Sequence, residues 1–197
     1  MPAVRYYAAL FMLMFLPGGL LYWFSIHPFI GFWRRVGWRT SIAIHYTCIA
    51  LLAGGICLAR RPLLSVEYGE RLPLAIAGGA LLAASIALRF VVSAKLKKRI
   101  LMGLPELAPD SHGVPLLTDG VYAHLRHPRY VQIAVALVGG ALFANYLAAY
   151  VTCAASLVIL RLIVSLEERE LRQRFGRAYD HYCARTPRFI PNFWARR

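Results

Sequence analysis

The sequence predicts an all-α fold, a multi-pass transmembrane helical bundle of about five helices with an amphipathic C-terminal tail. Three observations carry this. Hydrophobic residues make up 59% of the 197 and charged residues 16%, against roughly 25% charged in ordinary soluble domains. Mean hydropathy is +0.53, and the apolar residues come in long blocks rather than in amphipathic periods. The net charge of +14 could suggest a nucleic-acid partner. However, the Lys and Arg residues cluster in the gaps between apolar blocks, as in a membrane protein, so the expected partner is membrane lipid and not nucleic acid.

A spanning helix needs about 20 mostly apolar residues. The first candidate runs from about Tyr6 to Ile26, with a bend expected at Pro17-Gly18-Gly19. No small-x-small cleavage site follows it, so it reads as a retained helix rather than a signal peptide. The second runs from about Trp38 to Ala59, with His45 as a packed core histidine. The third runs from about Leu72 to Ser93, and Gly78-Gly79 would let another helix approach closely. A short fourth helix, from about Pro128 to Ala144, a tight turn at Asn145-Tyr146 and a fifth helix from about Leu147 to Leu166 form a hairpin. Residues 1–95 would then hold the first three helices. Residues 96–197 would hold an irregular loop, the hairpin and the tail, and would carry the cofactor-binding and catalytic region.

Basic residues set the expected orientation. Arg34, Arg35 and Arg39, then Lys95, Lys97, Lys98 and Arg99, and the Arg-rich tail all fall on one side if the N-terminus is outside. That side is the cytoplasm. Arg60, Arg61 and Arg71 then lie outside, against the rule. The segment from Met102 to Gly120, with Gly103, Pro105, Pro109, Gly113 and Pro115, should be irregular. In the tail, Phe175, Tyr179, Tyr182, Phe189, Phe193 and Trp194 alternate with charges, a pattern suited to lying on the membrane surface.

Cys48, Cys57, Cys153 and Cys183 form no C-x-x-C pair, and no cluster of metal-ligand spacing is present, so no metal site is expected. The polar chemistry sits at the two ends of the hairpin. At one end is Arg126-His127-Pro128-Arg129-Tyr130. Pro128 suits the first helical position, and the helix N-terminus beside Arg126 and His127 suits an anionic group such as a carboxylate. The plainer reading is a snorkelling Arg126 and an interfacial His127. At the other end are Glu167 and Glu168, which could hold a cationic or hydroxyl-rich ligand. They could equally belong to a solvated helix with Glu168–Arg172 and Glu170–Arg174 pairs.

Arg161 lies inside the apolar run from Ala154 to Leu166, where a charge near a helix centre costs about 2.5–3.5 kcal/mol and is functional by default. Arg161, Ser165 and Glu168 are spaced to share one helix face. A ligand-facing Arg161 is therefore favoured over a snorkelling one. Arg89 has the same choice, and snorkelling fits it better.

These residues resemble the membrane methyltransferase family that includes isoprenylcysteine carboxyl methyltransferases and phospholipid N-methyltransferases. The shared pattern is Leu117-Thr118-Asp119-Gly120-Val121-Tyr122, then Arg126-His127-Pro128-x-Tyr130. After the hairpin come Glu167-Glu168-x-x-Leu171, Phe175-Gly176-x-x-Tyr179-x-x-Tyr182 and Pro187-Arg188-Phe189-Ile190-Pro191. The resemblance implies S-adenosylmethionine as methyl donor and a lipophilic methyl acceptor. It also implies a donor pocket lined by Leu116, Leu117, Tyr122, His127, Pro128 and Tyr130 and closed by Glu167 or Glu168. An Arg near the position of Arg161 faces the substrate in the carboxyl methyltransferases, which makes Arg161 the candidate catalytic residue. The chain departs from the family pattern at Gln132, where Gly is common, and at Val121, where Pro is frequent. It departs again at Val114, where a His is expected, with His112 two residues earlier. An NADPH-dependent membrane reductase of sterol or steroid type and a non-catalytic membrane interaction subunit are the competing readings.

Overall fold

The computed structural model describes residues 2–93 and 115–191, and every described element is helical. The helices are α1 (Pro2–Ile26), α2 (Ile30–Val36), α3 (Trp38–Leu58), α4 (Arg60–Leu63) and α5 (Leu72–Ser93). After a 3₁₀ turn at Gly120–Ala123 come α6 (Pro128–Ala144), α7 (Leu147–Phe175) and α8 (Arg177–Arg185). Four of them, α1, α3, α5 and α7, are long and apolar enough to cross a membrane. At 17 residues α6 is shorter, about 26 Å at the usual rise. The expected all-α bundle of apolar helices is therefore present, with four helices of spanning length and α6 as the short fourth helix of the prediction.

Helices α1, α6 and α7 pack on one another and build the core. Ala9, Met12 and Leu13 of α1 meet Leu137, Ala141 and Ala144 of α6 and Ala149, Leu160 and Ile163 of α7 in one buried cluster. α3 packs on α1, and α5 packs along α6, so these two flank the core. The α5–α6 contact is the most extensive among the described elements. It depends on glycine: a Cβ on Gly78 would lie 2.6 Å from the Gly139 carbonyl oxygen and 2.6 Å from the Phe143 nitrogen. Gly79, one residue on, faces open space. Gln132 of α6, the departure from the family glycine, donates to Ser85 Oγ of α5 at 2.8 Å, and that hydroxyl donates back to the Gln132 carbonyl at 3.1 Å. The larger side chain thus replaces bare contact with a satisfied interhelical pair.

At the end of the bundle away from the hairpin termini, Asn145 turns the chain in the left-handed conformation (φ 56°), as expected for the α6–α7 turn. Its side-chain amide donates to the Gly69 carbonyl at 3.0 Å. Arg5, buried near the start of α1, pairs with Glu67 at 2.9 Å and donates to the Ala144 carbonyl at 3.1 Å. Arg60 donates to the Cys57 carbonyl at 2.7 Å and so satisfies the C-terminal end of α3. A helix-capping task explains one basic residue on the face where the charge rule disfavours it.

The hairpin brings the start of α6 and the end of α7 to the opposite face. The apolar run of α7 stops at Leu166, and the charged helix from Glu167 to Phe175 projects beyond the apolar layer. Gly176, at φ 51°, breaks the helix before α8, a conformation that only glycine adopts readily. Two of the tail's aromatic residues are also used inside the protein: Tyr179 and Tyr182 are buried, and Tyr182 Oη donates to the Tyr122 carbonyl of the 3₁₀ turn at 2.6 Å. His45 is buried as expected, with Nδ1 on the Ser41 carbonyl at 2.7 Å and Nε2 on Ser25 Oγ at 2.9 Å. Lys95, Lys97, Lys98, Arg99, Met102, Gly103, Pro105, Pro109, His112, Gly113, Val114, Phe193 and Trp194 lie outside the described residues, as does the boundary between residues 95 and 96.

Gly78→Ala should destabilise the detergent-solubilised protein by about 1–3 kcal/mol, the usual cost of overpacking. Gly79→Ala should be neutral. Thermal unfolding followed by circular dichroism distinguishes the two, and equal effects would contradict the close packing at Gly78.

Candidate functional site

Asp119-Gly120 starts the 3₁₀ turn, in which the Tyr122 N–H donates to the Asp119 carbonyl at 3.1 Å. The turn buries Tyr122 and delivers the chain to His127, the residue that caps α6. Pro128 is the first residue of the helix, where its missing N–H costs nothing. Two backbone bonds then join this stretch to the tail: the Arg126 N–H donates to the Pro187 carbonyl at 2.9 Å, and the His127 N–H to the Arg188 carbonyl at 3.3 Å. Residues 187–189 therefore form a strap across the N-terminus of α6. Burial pushes the Tyr182 hydroxyl up to about 12, despite the nearby Arg126 charge. It stays protonated and keeps donating to the Tyr122 carbonyl.

The strap is locked by one carboxylate. Glu168 is 1% exposed. Its Oε1 accepts from Arg188 Nε at 3.0 Å and from His127 Nε2 at 3.1 Å, and lies 3.1 Å from Arg126 Nη1. Its Oε2 accepts from the second arm of Arg188. Burial alone would raise the Glu168 carboxyl. The hydrogen bonds from His127 and Arg188 and the Arg126 charge outweigh it and hold the group down at about 2. The anion that the α6 corner was expected to bind is thus the protein's own. The expected Glu168–Arg172 pair is not made among the described residues: Arg172 instead reaches Asp180 at 3.4 Å.

Two concave spaces meet beside this lock. One is walled by Leu116, Leu117, Tyr122, His127, Pro128 and Tyr130, with Glu167 at its edge. These are the residues expected from the sequence, apart from Glu168, which sits behind the wall. Glu167 Oε2 is buried with no hydrogen-bond partner, and His127 Nδ1 lies 3.8 Å from it. It can accept from a hydroxyl or ammonium group of a ligand. The same pocket takes Trp23 from α1 and Arg129, Phe175, Tyr179 and Tyr182, none of which sequence reasoning places there. Tyr179 and Tyr182 do carry a signal, being three apart on one face of a short helix. Trp23 carries none, because it comes from a distant helix.

The second space is an apolar groove between α5, α6 and α7, lined by Leu81, Val131, Ala134, Val135, Val138 and Leu157. Arg161 opens onto it, the one charged side chain among the described residues that line it. Arg161 donates to Ser165 Oγ at 2.5 Å, one turn along the same face. Glu168, expected on that face too, is turned into the lock instead. Tyr130 and Phe189 border the groove, and Tyr130 lines both spaces.

The model of the isoprenylcysteine carboxyl methyltransferase (ICMT) family matches residues 76–173. The chain is also similar to a protein-S-isoprenylcysteine O-methyltransferase of Schizosaccharomyces pombe, with 35% identity over 80 residues, 39% of this chain and 33% of the relative. The similarity thus spans about a third of that relative's length. No solved structure matches.

Because the Glu168 carboxyl is held below its ordinary range, its contribution to stability is complete above pH 4.5 and is lost as the pH falls through about 2. Glu168→Gln should be markedly less stable at pH 7, since removing one partner of a buried ion pair costs about 3–5 kcal/mol. The gap to wild type should close as the pH is lowered through that window. Parallel acid titrations followed by near-ultraviolet circular dichroism check this, and a gap independent of pH would contradict it.

Proposed function

We propose that this chain transfers a methyl group from S-adenosylmethionine to a lipophilic acceptor at the membrane surface, a reading supported by the match of residues 76–173 to the model of the isoprenylcysteine carboxyl methyltransferase (ICMT) family. The observation that carries the reading is Tyr130, the wall shared by a polar, aromatic pocket and a lipid-facing groove. One space suits a water-soluble donor and the other a hydrocarbon chain, and the two adjoin at one ring.

The residues present fit the donor. Aromatic walls from Tyr122, Phe175 and Tyr179 suit an adenine ring. The unpartnered Glu167 Oε2 suits a ribose hydroxyl or an ammonium group. When bound, the donor supplies a methyl carbon made electrophilic by a sulfonium, and transfer by in-line displacement chiefly needs alignment and a dry site. Tyr130 stands between the pocket and the groove, and Phe189, carried by the strap, borders the groove. Arg161 is the catalytic residue of this reading: it orients the acceptor's anionic group at the groove. His127 already donates Nε2 to Glu168, and Glu168 is held ionised within the lock. A carboxylate or thiolate acceptor arrives deprotonated and needs no base, and such an anion suits the Arg161 charge at the groove. The similar Schizosaccharomyces pombe protein is named as an O-methyltransferase of an isoprenylcysteine, which agrees with a carboxylate. Arg34, Arg35 and Arg39 follow Trp23 and His27 in the chain, and positive charge on that face supports a cytoplasmic site.

Calorimetry on the detergent-solubilised chain should show binding of S-adenosylmethionine, weakened about tenfold or more in Glu167→Ala by loss of a charged hydrogen-bond acceptor. Arg161→Ala should bind the donor as wild type does but lose about a hundredfold or more in transfer to a lipophilic carboxylate, as expected when an orienting charge is removed. NADPH binding without S-adenosylmethionine binding would overturn the reading.

A further inference from the structure

The donor pocket presents two opposite charges, Glu167 and Arg129. Glu167 Oε2 is buried without a hydrogen-bond partner. Arg129 lines the same pocket, and no carboxylate among the described residues lies within ion-pair distance of it. Of the other pocket arginines, Arg126 reaches Glu168 and donates to Cys183 Sγ at 2.7 Å, while Arg174, like Arg129, lies on an aromatic ring, its guanidinium 5.0 Å from the Phe175 centroid.

The direction of Arg129 is set from α1, which lies outside the matched segment 76–173. The guanidinium carbon sits 5.0 Å from the centroid of the Trp23 ring, a cation–π contact. That indole stacks on His27, with centroids 5.7 Å apart and planes at 29°. His27 Nδ1 is in turn hydrogen-bonded to Glu170 Oε1 of α7 at 2.9 Å. Glu167, Arg129 and Tyr122 all line the same pocket.

Resting on the reading that this pocket takes S-adenosylmethionine, we propose that Arg129, held on the Trp23 ring, binds the carboxylate of the donor's amino-acid half, while Glu167 takes the ammonium. A guanidinium matches a carboxylate through paired N–H donors, and the buried carboxylate matches the neighbouring ammonium. Trp23 is a positioning residue: it fixes Arg129 and leaves the ligand's charges to Arg129 and Glu167. The N-terminal helix therefore contributes to donor recognition although no residue of α1 belongs to the motif stretches.

The test is calorimetry with two probes on the full chain in detergent: S-adenosylhomocysteine, and its analogue lacking only the carboxylate. Wild type should prefer the intact probe by about tenfold to a hundredfold, the range for a charged hydrogen-bonded pair. Arg129→Ala should bring that preference close to unity while keeping the affinity for the analogue, which shows that the pocket is still folded. Trp23→Ala should reduce the preference partway, and Trp23→Phe, which keeps an aromatic face, should restore most of it. A wild type that binds both probes equally, or a preference that survives in Arg129→Ala, overturns the proposal. Failure of wild type to bind S-adenosylhomocysteine at all overturns the donor reading, and the proposal with it.

Discussion

Much of the site face depends on a single buried carboxylate. Glu168 gathers Arg126 and His127 from the start of α6 and Arg188 from the tail around two oxygens. Burying an ion pair offers little net stability against an apolar replacement, because desolvation offsets the attraction. Its value here is specificity of place. Without the carboxylate, two guanidinium groups would face each other in a partly dry corner, so no other arrangement of these segments is comparably satisfied. The α6 N-terminus, the end of α7 and the strap at 187–189 therefore have one mutual position.

That position determines what the two spaces can be. The strap carries Phe189 to the mouth of the groove, and the capped start of α6 points Tyr130 between groove and pocket. Both rings hang on backbone that the lock fixes: Phe189 directly follows Arg188, and Tyr130 lies three residues beyond His127. Farther into the bilayer, the glycine contact at Gly78 and Gly139 sets how closely α5 lies on α6, and hence how wide the groove can open. The polar and apolar halves of the site are thus set by different forces, ion pairing at the surface and close packing within the apolar layer.

Most of the fold is legible in local patterns of the sequence. Long apolar blocks mark helices, proline marks the start of α6, and Asn145 marks the turn. Each signal lies within a few residues of the feature it predicts. The pocket wall from Leu116 to Tyr130 follows from a family resemblance that is itself a run of local motifs. Sequence alone does not separate Glu167 from Glu168, because neighbours on a helix point about 100° apart and only tertiary packing decides which points inward. Nor does it place the tail, because aromatic residues among charges suit a membrane interface and a protein surface equally well. Trp23 and Arg129 escape sequence reasoning for another reason: their relation joins α1 to α6, and no spacing in the chain encodes it.

Arg161 shows how far an isolated charge can be read. It stands five residues before the end of the α7 apolar run, about 7.5 Å along the axis, so its guanidinium can reach toward the surface without leaving the groove. Its partner, Ser165, lies one turn closer to that surface, which agrees with a side chain directed that way. A carboxylate on the same face would have neutralised it. Glu168, the carboxylate spaced to do so, is instead consumed by the lock, and among the described residues Arg161 keeps an uncompensated charge at the rim of an apolar groove. The interaction that fixes the strap therefore also leaves the groove with one positive group near Tyr130. Under the proposed methyl transfer, an acceptor with a hydrocarbon chain and an anionic head would satisfy both.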